Sequence, residues 1–265
     1  MKISIITTNY NTDKYLERTI KSVLNQKGNF ELEYIITDGA STDNSLEIIK
    51  KYKDKLKYIS EKDKGQSDGI NKGLKMATGD IVAFLNSDDV YTEGTLDKVV
   101  KYFKDNPDCM WLTGYHRVID EDGKEIREFI TDGKNKKLKN YSLQKLLVDN
   151  YIPQPSTFWR REVMNEIGYI DENLHFCMDL DFWIRIYKKY DLHVLPEYLS
   201  EFRFTSSTKT GGTSSKTLEE SEKVVKRHTN NKWIIFQHKS LNFLRIVLFK
   251  YVKPTYLFLR GRNAK

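Results

Sequence analysis

Cysteine, early glycine, long apolar runs and C-terminal acid are all scarce or missing in this 265-residue chain, and each absence excludes something. Cys109 and Cys177 are the only cysteines, and both sit among apolar neighbours. That pattern predicts buried free thiols in a reducing cytoplasm and argues against a disulfide framework. No stretch reaches 18 uninterrupted apolar residues, so no spanning helix is expected. The opening MKISIITTNY alternates apolar and polar residues, which reads as a strand and not as the apolar centre of a secretion signal. The first glycine is Gly28, so no glycine-rich loop follows that strand. A dinucleotide-binding dehydrogenase is thereby excluded, and a nucleotidyltransferase with a phosphate-cradling loop is disfavoured. Residues 232–265 hold eight Lys or Arg and no Asp or Glu, which leaves 36 basic against 37 acidic residues elsewhere. The net charge of +7 therefore belongs to an apolar tail. It argues for an anionic surface near the C-terminus and against nucleic acid as a partner of the body.

What is present is an alternation of strands and helices. KISIITT (2–8), LEYIIT (32–37), LKYIS (56–60) and DIVAFL (80–85) read as strands. Helices are expected over 12–26, from Ser45, over DGINKGLKMA and over TLDKVVKYF. This order predicts an α/β fold with a mainly parallel central sheet covered on both faces. After residue 110 the rhythm changes. Residues 111–130 read as a β-hairpin turning at Asp122–Gly123. YSLQKLLV and REVMNEIG read as helices around the proline-stiffened YIPQPSTFW, and 176–190 reads as a further helix. The Ser/Thr/Gly-rich stretch 205–215 reads as a loop before a helical, basic C-terminal extension. The mixture of apolar and basic residues in that extension fits an interfacial helix.

In a parallel sheet, ligands bind beyond the carboxyl ends of the strands. Asn9, Asp38, Glu61 and the pair Asp88–Asp89 all follow predicted strands, so they are expected along one edge. Two adjacent carboxylates at a strand end repel each other unless a cation joins them. A hard divalent ion, Mg²⁺ or Mn²⁺, takes carboxylate and phosphate oxygens together, and a nucleotide-sugar diphosphate would supply the phosphates.

Six motifs in order carry a family resemblance: ITTNYN (6–11), TDGASTDNS (37–45), EKDKGQSDGINKGLKMATGD (61–80), FLNSDD (84–89), QPSTFWRR (154–161) and MDLDFWIR (178–185). With them the chain resembles the family 2 glycosyltransferases of GT-A (Rossmann-like) fold that build bacterial cell-surface polysaccharides. The resemblance covers about residues 1–210, with 1–105 as the nucleotide-sugar half, 106–210 as the acceptor half and 211–265 as the extension. It implies inverting transfer of a hexosyl or N-acetylhexosaminyl group from a nucleotide-diphosphate donor, a UDP-sugar by preference, to an acceptor hydroxyl. It implies that Asp38 meets the base, with Thr8, Asn9 and Tyr10 lining the same pocket. Gln66, Asp68 and Asn71 would frame the donor, Asp88 would lie near the ribose, and Asp89 would hold Mn²⁺ or Mg²⁺.

Asp179 matches the general base of the family, with Asp181 as its competitor two residues on. A positioned carboxylate removes the proton of an acceptor hydroxyl as the new bond forms. Two departures stand out. Met178 occupies a position where relatives often carry Glu, and Thr205 replaces a His expected after Phe202–Arg203–Phe204. They leave open an alternative, a non-catalytic sugar-nucleotide-binding protein that retains the fold. His116 is expected on the acceptor side, whereas His175 and His228 are expected at the surface. The implied partners are a nucleotide-sugar donor and a saccharide or lipid-linked saccharide acceptor. The implied location is the cytoplasm, with peripheral attachment to the inner face of the membrane through the tail.

Overall fold

The structure, a computed structural model, describes residues 1–205 and 215–247. Its organising element is β1 (Lys2–Asn9), buried along nearly all of its length. Such a strand needs apolar residues on both faces, which ISII supplies. Parallel neighbours flank it: β2 (Glu31–Asp38) and then β3 (Lys57–Ser60) on one side, and β4 (Ile81–Phe84) on the other. Beyond β4 the sheet becomes mixed. β7 (Thr157–Arg160) pairs antiparallel with β4 and with β6 (Trp111–Ile119). β8 (His193–Arg203) then runs parallel to β6, and the short β5 (Val90–Tyr91) closes the order β3-β2-β1-β4-β7-β6-β8-β5.

Helices cover both faces. α1 (Asp13–Leu24) buries Tyr15, Leu16, Thr19, Ile20 and Val23, a stripe at helical spacing. With α2 (Ser45–Lys50) and α4 (Thr95–Asp105) it encloses one core. α3 (Gln66–Met76) lies on the opposite face, where Gly73 lets it approach β1. A methyl group at Gly73 would overlap the Ile6 side chain. α3 starts after Gly65, whose φ of +125° few other residues adopt. The second core joins α3 to α6 (Leu143–Val148), α7 (Val163–Ile167) and α8 (Met178–Tyr187). Trp111, Trp159, Trp183, Phe84 and Phe182 interlock at its centre with ring centroids 5.2–6.5 Å apart. Burying each such ring contributes about 1.5–3 kcal/mol.

Of the expected hairpin over 111–130 only the tip forms, around the turn at Asp122–Gly123. β6 ends in a turn in which the Asp120 carboxylate accepts the amides of Asp122 and Lys124. A single bridge, Ile119 to Glu125, follows. Arg127 then takes a left-handed φ of 60°, stacks 3.5 Å from the Phe204 ring, and starts α5 (Glu128–Leu138). The physical reason is non-local. Ile119 pairs with Arg203 of β8 on one edge and with Glu125 on the other, and that second edge is taken farther back by β7, a strand some 45 residues later in sequence, at Trp111–Thr113.

The extension adds α9 (Ser215–His228) and α10 (Lys232–Val247). Val224, Val225 and Ile234 enter the second core, so at least this part of the extension docks on the body. Arg245 reaches Asp149 at 2.5 Å, and Lys239 reaches Glu222 at 3.0 Å. The expected loop at 205–215 lies almost wholly outside the described residues, as does the last part of the basic tail. No helix among the described residues is long and apolar enough to cross a membrane.

Candidate active site

The register of β2, β1 and β4 brings their C-terminal ends side by side, with Asn9 opposite Asp38 and Ile6 opposite Phe84. Asp38 is buried and fully engaged. It accepts Asn9 Nδ2 at 2.8 Å, Ser41 Oγ at 2.5 Å, the Ser41 amide at 3.1 Å and Ser60 Oγ at 2.7 Å. Asn9 Oδ1 accepts Thr12 Oγ1, which meets Ser87 Oγ at 2.8 Å. One polar chain thus ties the Asp38 turn to the NSDD turn.

In that second turn the Asp89 carboxylate is wholly buried. Its Oδ1 accepts the Arg203 amide at 2.9 Å, and its Oδ2 accepts Asn86 Nδ2 at 3.2 Å. Asn86 also receives Gln66 Nε2 at 2.8 Å and donates to Gln154 Oε1 at 3.1 Å. Gln154 donates in turn to the Phe84 carbonyl at 2.6 Å. The Arg203 guanidinium gives Nε to the Asp88 carbonyl and Nη1 to the carbonyls of Asp120 and Glu121. Burial raises the pKa of Asp88. Burial and then the neighbouring Asp88 charge raise that of Asp89 well above the carboxylate range. A buried, mutually repelling pair of this kind calls for a proton or a cation between its members.

The pair was tested as a seat for a divalent ion. No group of three His, Cys, Asp or Glu side chains surrounds a common point among the described residues, so the protein does not offer a closed cage. Each Asp89 oxygen keeps a lone pair beyond its one hydrogen bond, and burial and then the Asp88 charge disfavour the bare carboxylate. Such a donor set fits a hard cation that takes its remaining ligands from phosphates and water.

Asp179 sits in the first turn of α8. Its Oδ1 accepts the Leu180 amide at 2.8 Å, and its Oδ2 accepts Asn150 Nδ2 at 3.0 Å. Burial nevertheless raises its pKa, which strengthens it as a base. The loop before α8 is held by Glu220 of α9, whose carboxylate accepts the amides of His175, Phe176 and Cys177 at 2.6–3.1 Å. A negative charge at a helix N-terminus is favourable, so α9 helps to fix the position of Asp179.

Asp181 points elsewhere. It pairs with Arg185 at 2.8 Å, His228 at 2.8 Å and Arg227 at 3.3 Å. His228, expected at the surface, is instead docked here with a nearly buried side chain. Burial would raise the Asp181 pKa, but the hydrogen bonds from His228 and Arg185 outweigh it and bring it down to about 2. A depressed folded-state pKa stabilises the fold above the ordinary carboxylate range, and this contribution is lost as pH falls towards 2. Asp181→Asn is expected to cost about 1.5–3 kcal/mol through its lost charged hydrogen bonds, since Arg227 keeps Asp171 and Arg185 keeps the carbonyls of Ile167 and Tyr169. Urea unfolding at neutral pH should show that loss, while turnover per folded molecule stays near wild type.

Of the residues expected at the site, Asn9, Asp38, Gln66, Asp88 and Asp89 are joined along the edge. Thr8 lies against Gly69 of α3, and Tyr10, 64% exposed, stands at the mouth. Asp68 and Asn71 face away from the carboxylate pair. Asp68 accepts the Lys64 amide, and Asn71 clasps the backbone of Ile170 at both ends of its amide. Asn86, Gln154, Asn150 and Ser60 were not foreseen. Asn86 and Gln154 lie inside motifs that were noticed, but only the fold shows that they touch.

Comparison with known proteins decides the family. The sequence model described as Glycosyl transferase family 2 matches residues 4–168, more than half of the chain. The chain belongs to that family. It is a glycosyltransferase. An uncharacterized glycosyltransferase of Methanocaldococcus jannaschii is 29% identical over 96% of this chain and 90% of its own length. Among solved structures, Staphylococcus aureus TarS 1-349 in complex with UDP-GlcNAc superposes with a TM-score of 0.73 at 19% identity, covering 95% of this glycosyltransferase and 76% of that chain. The mannosyltransferase PcManGT of Pyrobaculum calidifontis, in complex with GDP-Man and Mn²⁺, gives 0.64 at 16% identity over 99% of this chain and 79% of its own. At these identities the superpositions establish the GT-A-like α/β fold, as expected from the motifs.

Proposed function

We propose that this glycosyltransferase moves a sugar from a UDP-sugar to an acceptor hydroxyl with inversion, in glycan or polysaccharide synthesis. The observation that carries the reading is the Asp88–Asp89 pair after β4, half-buried and buried, in a turn that one polar chain through Ser87 ties to Asp38. Asp38, Asn9, Thr8 and Tyr10 bound the space for the base. Gln66, through Asn86, holds the carboxylate pair in place, and Asp88 lies on the ribose side. Asp68 and Asn71 support this half from behind, by shaping the loop before α3 and tying α3 to residue 170. Residues 1–105 act as the donor half, and 106–210 with α9 present the base.

Asp89, with Asp88 beside it, would hold Mg²⁺ or Mn²⁺, which supplies charge neutralisation for the diphosphate leaving group. Asp179 accepts the proton of the acceptor hydroxyl. The hydroxyl oxygen bonds to the anomeric carbon as the bond from that carbon to the phosphate oxygen breaks, and the electron pair leaves with UDP. The raised pKa of Asp179 suits this role, and Asn150 and the Leu180 amide keep its carboxylate aimed. TarS in complex with UDP-GlcNAc and PcManGT in complex with GDP-Man support a nucleotide-sugar donor on this fold. A thermal-shift screen tests the choice of base: with Mg²⁺, UDP should raise the melting temperature more than GDP, ADP or CDP, because ligand binding stabilises by mass action. A larger shift with GDP would replace UDP in this reading.

We also assign α10 to an anionic bilayer. Its inner side buries Ile234, His238 and Asn242. The opposite side exposes Trp233, Phe236, Phe243 and Leu244, which fall on one face at 100° per residue, with Lys232 and Lys239 alongside. Basic residues near anionic lipid contribute about 1 kcal/mol each, and aromatic side chains insert beside them. The full chain is expected to float with anionic vesicles and to release in high salt. Changing Trp233, Phe236, Phe243 and Leu244 together to Gln should abolish flotation while UDP binding is kept. Equal flotation of both proteins would remove this face of α10 from the contact, and no flotation of the full chain would remove the membrane from the account.

A further inference from the structure

α5, which the sequence did not announce, carries Lys134 and Asn135 towards the acceptor side. The Lys134 ammonium makes no hydrogen bond or ion pair among the described residues, although the residue is half-buried. Burial lowers its pKa, while Asp149 and Asp179 act against that and Arg245 and Lys137 act with it. Asp149 is already paired with both Lys137 and Arg245. Counting Lys134, Lys137 and Arg245 against Asp149 and an ionised Asp179, the group holds one positive charge too many, and a second once Asp179 takes up a proton.

Unused polar atoms gather around the same place. His116 Nδ1, Asn135 Oδ1 and Asn150 Oδ1 are all buried and have no partner. Each such orphan costs about 1–3 kcal/mol, so three in one neighbourhood are expensive without an occupant. Asn150 is the residue that holds Asp179, and Asn135 donates to the His116 carbonyl. His116 is kept neutral: burial, and then the charge of Lys134, push its pKa down to about 3. The two amide oxygens accept hydrogen bonds from hydroxyls, and the ammonium needs an anion.

We propose that Lys134, Asn135, His116 and Asn150 form an acceptor subsite beside Asp179 that takes a hydroxylated group bearing a phosphate or a carboxylate. The assignment rests on Asp179 being the base, since that is what makes this the acceptor side. The anion offsets Lys134, hydroxyls of the same group satisfy Asn135 and Asn150, and the hydroxyl to be glycosylated is brought to Asp179. An acidic sugar and a polyol phosphate share this chemistry.

The test uses the full chain saturated with UDP and Mg²⁺, so that the donor site is filled. Glycerol 3-phosphate and glucuronate are titrated against glycerol and glucose, with the His116 ring signals followed by NMR. At least one anionic probe should shift the ring and bind about tenfold or more tighter than its neutral counterpart. A response to glycerol 3-phosphate alone assigns a phosphate, and a response to glucuronate alone assigns a carboxylate. Lys134→Met should remove the preference and Lys134→Arg should keep most of it, both with UDP affinity unchanged. Equal binding of charged and neutral probes, or a preference that survives Lys134→Met, overturns the subsite. Failure of UDP itself to bind would instead strike the donor assignment, which the titration without probes reads separately.

Discussion

Asp179→Asn is expected to lower kcat by about 10²-fold or more, the usual range for losing a positioned general base, while donor affinity stays close to wild type. The substitution keeps the shape of the side chain and its place in the first turn of α8, where Asn150 and the Leu180 amide hold it. What it removes is basicity, which burial has increased. An effect confined to kcat and kcat/KM alike marks an interaction that matters in the transition state. The pH profile adds a second readout. Because the Asp179 pKa is raised, activity should fall on the acid side at a higher pH than an ordinary carboxylate would give, and the Asn variant should lack that limb. Full activity in Asp179→Asn, with activity lost in Asp181→Asn, would transfer the role to the second carboxylate. The ion pairs of Asp181 with Arg185 and His228 argue against that outcome.

Asp89→Asn is expected to separate stability from binding. Asp89 is buried against Asp88, and the repulsion between them is a cost that the folded protein carries without ligand. Removing one charge relieves it, so the melting temperature of the ligand-free protein should hold or rise despite the altered hydrogen bonds to Arg203 and Asn86. The same change removes the charge that a divalent ion needs. Calorimetry should show UDP affinity in Mg²⁺ falling about tenfold or more, to the level that wild type shows in EDTA. Stability that is lost where an active site gains function is a familiar trade. An unchanged UDP affinity in Mg²⁺ would remove Asp89 from the metal site.

The first 105 residues were legible in the sequence because their information is local. Each strand of the parallel block is a short apolar run, and each functional turn follows one directly, so Asn9, Asp38 and Asp88–Asp89 could be placed on one edge by counting. The part after residue 105 was less legible because its contacts join distant segments. β7 takes the edge of β6 along which a local hairpin would have continued beyond Glu125, and the segment that follows becomes α5. Lys134 thereby comes within electrostatic range of Asp179, across a gap in sequence that no motif bridges. His228 looked like a surface residue for the same reason, since its partner Asp181 lies 47 positions earlier. Asn86 and Gln154 illustrate a third case. Both were in view as parts of motifs, yet an amide reveals its role only through the atoms that it touches.

The most direct test of the central claim is the stereochemistry and metal dependence of donor cleavage. In a concentrated solution of the full chain with Mg²⁺, slow hydrolysis of a UDP-α-sugar is followed by proton NMR, with water in place of the acceptor. A single displacement assisted by Asp179 predicts that the free sugar first appears as the β anomer, that EDTA stops its release, and that Asp179→Asn slows it. First appearance of the α anomer, or release that is indifferent to EDTA, would contradict the account.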